Sequence, residues 1–320
     1  MRRRLAARLG QSIVVVFIVT TIAFFVIRAA PGDPFSYEDS SRITPEVRAQ
    51  WRAQFGYDKP LIVQYGRYLW SVAHGQLGYS VLRRESVAAA LAEALPRTLT
   101  LAGLGLLLSL AVGIVIGTAQ AARRGGWFDR ITSFILLVFY SLPDFWGALI
   151  VLLIFAYWWR VFPPGGLQDT MHDYLSPWAA FTDRLKHLVL PLGSLVLLTM
   201  AAVTRYQRGA LLEVLPADYV RTARAKGVSE ARVVWRHALR TALAPVIVLL
   251  GVALPGMLGG TLFVEKVFGW PGIGMLAANA IGDRDYDLVT ATVIVGAVLV
   301  VVGNLLADAL HVALDPRVRE

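Results

Sequence analysis

Six apolar stretches dominate the pattern of this chain, running approximately Gln11–Ile27, Thr98–Ala122, Ile131–Trp159, Leu188–Thr204, Thr241–Val264 and Leu288–Ala307. A hydrocarbon core about 30 Å thick takes roughly 20 helical residues, so each is long enough to cross one. Five carry no charge, and the third contains a single ionisable residue, Asp144. Backbone groups inside lipid must bond within their own segment, which predicts helices. The expected fold is therefore an all-α membrane protein with six transmembrane helices. Arg2, Arg3, Arg4 and Arg8 precede the first stretch as they would in a signal peptide. No small-x-small cleavage pattern follows, whereas Pro31–Gly32–Asp33–Pro34 does, so the stretch reads as an uncleaved anchor.

Polar residues between the stretches set the predicted topology. On one alternating set of loops lie Arg2, Arg3, Arg4 and Arg8; Arg123, Arg124 and Arg130; eight basic residues from Arg205 to Arg240; and Arg317 and Arg319. Six carboxylates oppose them, Asp129, Glu213, Asp218, Glu230, Asp315 and Glu320, while the other face is near neutral. Short basic loops stay in the cytosol, which predicts cytosolic termini and a cytosolic 205–242 loop. The expected organisation is then 1–28 as tail and first helix and 29–97 outside the cytosol. A five-helix core, 98–312, and a cytosolic tail, 313–320, follow. Within 29–97, amphipathic stretches around Pro45–Phe55 and Val63–Ala73 predict short helices lying on the membrane surface.

Composition narrows the function. With 56% hydrophobic residues and a mean hydropathy of +0.58, the bilayer is the expected solvent. The net charge of +9 is explained by topology rather than by nucleic acid, because the basic residues lie between apolar runs instead of on a soluble domain. No cysteine is present, which excludes disulfides, thiolate metal sites and a cysteine nucleophile. The five histidines, His74, His172, His187, His237 and His311, show no metal spacing and read as structural, and no catalytic set emerges.

The most informative stretch is DYVRTARAKGVSEARVVWRHALRTALAPVI, Asp218 to Ile247. Ala217–Lys226 contains no helix breaker, and Gly227 stands where a left-handed residue would end a short helix. Ser229 can cap a second helix carrying Arg232, Arg236 and Arg240 along one side. The prediction is a helix–Gly–helix elbow, stiff enough to transmit a motor's displacement rather than absorb it. The bland reading is an ordinary basic loop.

At these residues the chain resembles the permease subunits of ABC importers of the dipeptide/oligopeptide/nickel branch, type I permeases whose loop reads like DYVRTARAKG and RHALR here. PGDP at Pro31–Pro34, DKPLIVQYGRYLW at Asp58–Trp70, GQLGYS at Gly75–Ser80 and LPRTLTLA at Leu95–Ala102 extend the likeness. So do RRGGWFDR at Arg123–Arg130, SLPDFW at Ser141–Trp146, EKVFGWPGIG at Glu265–Gly274 and LDPRVR at Leu314–Arg319. The resemblance implies pairing with a second homologous permease, two ATP-binding subunits below, an extracytoplasmic substrate-binding protein, and a prokaryotic inner membrane as location. It implies that Asp218, Tyr219, Arg221, Thr222, Ala223, Arg224, Ala225, Lys226 and Gly227 form the helix that engages the ATPase. ATP and Mg²⁺ would sit on the partner, since this chain has no GxxxxGK[ST] loop and binds no cofactor of its own. Peptide is the expected cargo, with nickel chelates or another small solute as the alternative; an ion-coupled secondary transporter is the alternative of another class.

Asp144 beside Pro143 is either part of the substrate path or a paired or protonated structural acid, since charge in hydrocarbon is costly. Pro143 can bend the span and expose backbone to a polar cavity. Asn304 and Asp308 read as interhelical hydrogen-bonding groups, and Pro255, Gly259 and Gly260 as a packing or bending device. Gly272-x-Gly274-x-x-Ala277 follows no strand and is not a dinucleotide fingerprint. Its loop, with the Trp270–Pro271–Gly272 turn, is expected to face the binding protein or line the outer mouth.

Overall fold

The computed structural model describes residues 2–29, 45–54, 56–246 and 261–314. Pro31–Pro34, Pro255, Gly259, Gly260, most of the expected fifth span and the 315–320 tail lie outside these residues, as does the side chain of Asp308. Besides helices, turns and loops, the described residues form one short hairpin, β1 (Tyr79–Ser80) against β2 (Glu85–Ser86). Among the described residues, four helices are long and apolar enough to cross a membrane: α1 (Arg2–Ala29), α4 (Val87–Ala122), α7 (Pro177–Val214) and α13 (Tyr286–Leu314). A broken pair, α5 (Trp127–Ser141) and α6 (Asp144–Leu152) running on through a π turn, makes up to five.

The third span is not the continuous helix expected over Ile131–Trp159, because it bends by 111° at Leu142–Pro143. Proline has no N–H and disfavours helical torsions in the residue before it. Leu142 accordingly takes φ −79°, ψ 139°, and Pro143 becomes the N-cap of α6. Two other spans outrun their apolar cores: α4 begins at Val87 and α7 at Pro177. Proline in the first turn of α7 and the Ser176 hydroxyl accepting from the Ala179 N–H explain that early start. Short helices appear where amphipathicity placed them, α2 at Pro45–Gln54 and α3 at Leu61–Ala73.

The chain divides into two compact units. One comprises Arg2–Arg97 and Gly272–Val301. In it Val87, Ala90, Leu91 and Ala94 at the start of α4 pack on Ile273, Leu276 and Ala280 of α12 (Ile273–Gly282) and on Leu288, Val289 and Ala291 of α13. The apolar side chains of α1 stay largely uncovered, Ile13 at 70% exposure for instance, as lipid contact requires.

The other unit comprises Thr98–Pro271 and Val302–Glu320. Its α4–α7 contact is made backbone to backbone. A methyl on Gly113 would come within 2.7 Å of the Val203 side chain, and one on Gly117 within 2.6 Å of the Thr204 carbonyl. Small residues at this spacing let helices approach closely in lipid, where packing and not the hydrophobic effect drives association. Two of the motif stretches also meet here: Thr98 Oγ1 donates to the fully buried Glu265 Oε1 at 2.6 Å.

Candidate coupling elbow and membrane break

The chain leaves α7 at Leu215 and enters α8, Asp218–Ala225, whose first turn carries the fully exposed Asp218. Thr222 Oγ1 donates back to the Asp218 carbonyl at 2.9 Å. The helix stops at Gly227, which takes φ +78°, a conformation that costs a Cβ-bearing residue free energy. The Gly227 N–H reaches the Arg224 carbonyl at 2.9 Å and the Val228 N–H reaches the Ala223 carbonyl at 3.2 Å. Those two bonds define a Schellman cap, completed by Val228 and Ala223 joining one apolar cluster.

Beyond the cap, α9 (Glu230–Arg232) runs through a π turn, Val233–Ala238, into α10 (Leu239–Ala242). Ser229 stands at the N-cap position as expected, but its hydroxyl makes no capping bond. The start is held instead by Arg224, which donates to Glu230 at 3.0 and 2.7 Å and to the Leu215 carbonyl at 3.4 Å. This one guanidinium ties the end of α7, the short helix and the returning helix. Its hydrogen bonds hold the Glu230 carboxyl below the usual glutamate range, and Glu230 in turn raises Arg224. Beneath the elbow, Val220 and Val233 are wholly buried against Leu211 of α7. Tyr219 is additionally bonded through its hydroxyl to Thr241 at 3.0 Å.

Of the nine elbow residues predicted from sequence, Ala223 is half-buried and the other eight are exposed, so they form one outward-facing group. Sequence reasoning missed Val220 and Glu230, which hold that group in place. It also missed Asp129 and Arg208. The buried Asp129 carboxylate accepts from Arg208 Nε at 2.8 Å and Nη2 at 2.9 Å, and from the Gly125 N–H at 2.9 Å. This bidentate clamp fixes the 123–126 turn and the start of α5 onto α7, from which the elbow hangs.

Asp144 lies in the first turn of α6, exposed beside exposed Pro143, where the third span breaks. A helix N-terminus carries partial positive charge, which favours a carboxylate there. The Pro143 carbonyl accepts from the N–H groups of Trp146 and Gly147 at 2.9 and 3.1 Å. A separate cavity of about 480 Å³ is lined by Tyr140, Arg205, Tyr206, Gly209, Glu213 and Pro245, without Asp144. The histidines divide: His172 and His187 are buried, and both meet Asp183, at 2.7 and 3.2 Å. That arrangement braces the loop before α7 and agrees with a structural role.

These elements define a multi-pass helical membrane protein with a Schellman-capped elbow and a broken span. The chain is a member of the family of binding-protein-dependent transport system inner membrane components, matching that description over residues 109–320 and its N-terminal counterpart over residues 1–102. It is 37% identical over 309 residues to the oligopeptide transport system permease protein AppB of Bacillus subtilis, covering 96% of each chain. It is 37% identical over 330 residues to the di/tripeptide transport system permease protein DppB of Pseudomonas aeruginosa, covering 98% of each. To the dipeptide transport system permease protein DppB of Escherichia coli it is 35% identical over 329 residues, covering 98% of this chain and 97% of that one. The protein is thus a membrane permease component of the plasma membrane and not an enzyme.

Proposed function

We propose that this chain forms half of the translocation pathway of an ATP-driven importer for di- or oligopeptides, together with a second homologous permease. Two ATP-binding subunits hold ATP and Mg²⁺, and an extracytoplasmic binding protein delivers the peptide. The termini and the 205–242 loop are cytosolic, and the 29–97 segment lies outside. Residues Asp218–Gly227 engage the ATPase, so that closure of its dimer moves α7 and the broken span between inward-facing and outward-facing arrangements. Pro143 and Asp144 border the path, where a half-helix start offers unsatisfied N–H groups to polar cargo.

The observation that carries this reading is the elbow's bracing: a capped short helix fixed to α7 by the buried Val220 and by Arg224's three-way bonds. An exposed loop with no mechanical task does not require such bracing. The cargo class is supported by the relatives' names, all of which concern peptides.

Reconstituted uptake tests it. Proteoliposomes containing this chain and its partner subunits should accumulate labelled di- and tripeptides only with both ATP and binding protein, and should ignore nickel chelates. Accumulation driven by an ion gradient without ATP would overturn the reading.

A further inference from the structure

Within the unit formed by Arg2–Arg97 and Gly272–Val301, a polar cavity of about 210 Å³ opens among Arg28, Gln64, Arg67, Tyr68, Gln76 and Asp287. Its depth in the bilayer follows from the helices that build it. Arg28 is in the last turn of α1 and Asp287 in the first turn of α13, so both stand at the ends of membrane-crossing segments. Gln64, Arg67, Tyr68 and Ser71 come from α3, whose opposite side leaves Ile62 and Trp70 each 69% exposed. A helix with polar side chains turned into a pocket and bare apolar ones on its other side suits the boundary between headgroups and acyl chains. Phe24 and Phe25 of α1 pack on Tyr65 and Tyr68 at ring-centroid distances of 5.1 to 5.3 Å, an aromatic belt at the same level.

The charges in the pocket are unevenly matched. Arg28 lies 3.8 Å from the Asp287 carboxylate, donates to Gln64 and rests on the rings of Phe24 and Tyr57 at 4.7 and 4.5 Å. Asp287 is further engaged by the Tyr57 hydroxyl at 3.4 Å. Arg67, by contrast, meets no carboxylate within ion-pairing distance among the described residues. The Tyr68 hydroxyl is buried and has no partner among them. A buried hydroxyl left unbonded costs about 1–3 kcal/mol, so an orphan donor beside an unmatched guanidinium marks the place of a missing acceptor. The volume is below the roughly 300–1,000 Å³ of pockets for drug-sized ligands, which suits a headgroup and not a whole peptide.

We propose that this pocket seats the phosphodiester of a membrane phospholipid, with Arg67 as its charge partner and the Tyr68 hydroxyl as a donor. Guanidinium binds phosphate oxygens through two parallel N–H groups, and the exposed apolar side of α3 lies where the acyl chains run. The lipid ties α1, α3 and α13 together at the bilayer boundary. The proposal is independent of cargo and of ATP coupling, and its test reads no transport.

The full chain with its co-purified partner subunits is stripped of lipid in detergent. Native mass spectrometry then follows titration with phosphatidylglycerol, phosphatidylethanolamine, diacylglycerol of the same acyl chains, or inorganic phosphate. Both phospholipids should be retained on this subunit, while diacylglycerol and inorganic phosphate are not. R67Q and Y68F should each weaken phospholipid retention about tenfold, the size of one lost bond to a charged group. Y68F deletes only an unpartnered hydroxyl, so its lipid-free Tm should be no lower than wild type, and it keeps the test valid if R67Q fails to fold. Equal retention of diacylglycerol, or retention unchanged in Y68F, would reduce the contact to nonspecific annular lipid. Saturation by inorganic phosphate alone, lost in the same variants, would make the pocket a free-anion site and overturn the lipid assignment.

Discussion

Gly227 offers the sharpest perturbation of the elbow. It holds φ +78°, and a Cβ added there would meet nothing within 4 Å, so substitution changes backbone preference without a steric clash. The left-handed region costs an ordinary L-residue about 1–2 kcal/mol, less for Asn and more for a β-branched side chain. At about 1.4 kcal/mol per tenfold, an alanine shifts the local equilibrium away from the capped geometry by roughly 5- to 30-fold. The bonds at stake are Val228 N–H to Ala223 and Gly227 N–H to Arg224. The assay is ATP-dependent peptide uptake by proteoliposomes containing the whole transporter, paired with hydrogen exchange at the Val228 amide. Uptake should fall in the order Gly, Asn, Ala, Val, with Val228 protection falling in step and the stability of the spans unchanged. A valine variant with wild-type uptake and a protected Val228 amide would refute the reasoning, as would an asparagine variant as impaired as valine.

Four further outcomes follow from the same geometry. D129N removes the charge that pairs with Arg208, and breaking one side of a buried ion pair costs about 3–5 kcal/mol. Because Arg208 keeps 32% exposure, a loss nearer ~2 kcal/mol in denaturant titration is expected, with the D129R/R208D exchange recovering part of it. G117V places methyls against the Thr204 carbonyl and should lower Tm by overpacking worth about 1–3 kcal/mol, whereas G193V, with open space around it, should leave Tm unchanged. Glu230 has its carboxyl lowered by Arg224, so its contribution is complete above the ordinary glutamate range near 4.3 and is lost as pH falls through the lower folded value. Exchange at the elbow amides should therefore be flat from pH 8 to about 5 once corrected for intrinsic rates, rise below that, and lose the pH step in E230Q. P143A restores an N–H and frees Leu142 to be helical, so it should straighten the third span, detectable as a longer distance between spin labels on α5 and α6.

The elbow was legible because its signals are local. A breaker-free run closed by Gly227 marked Ala217–Lys226 against the observed Asp218–Ala225. The surface helices were legible through amphipathicity. What escaped was set by long-range contacts: Asp129 and Arg208 are 79 positions apart, and neither residue type nor spacing announces their pairing. The early starts of α4 and α7 were hidden because hydropathy marks only the lipid-embedded part of a helix, and Val87–Arg97 is mixed in character. Pro143 signalled a bend, but its size depends on packing of Gly147 and Ala148 against α7, with Leu198 directly over Gly147. Ser229 fits the capping rule by type, yet Arg224 and Glu230 had already secured that helix start. His187 lies four residues after Asp183 on one helix and could have been paired with it; His172 comes from a separate 3₁₀ turn and could not.

The stretch of α7 from Pro191 to Val214 is gripped in its second half, by Gly113 near Val203, by Gly117 at Thr204 and by Asp129 at Arg208. At about 1.5 Å per residue this is a strut of roughly 36 Å, longer than the hydrocarbon core is thick. A strut so clamped does not flex between its grips. The same helix carries Leu195 and Leu190 into the apolar cluster they share with Ala148 and Val151 of α6. The elbow and the broken span are in this sense two attachments to one bar, the helix α7.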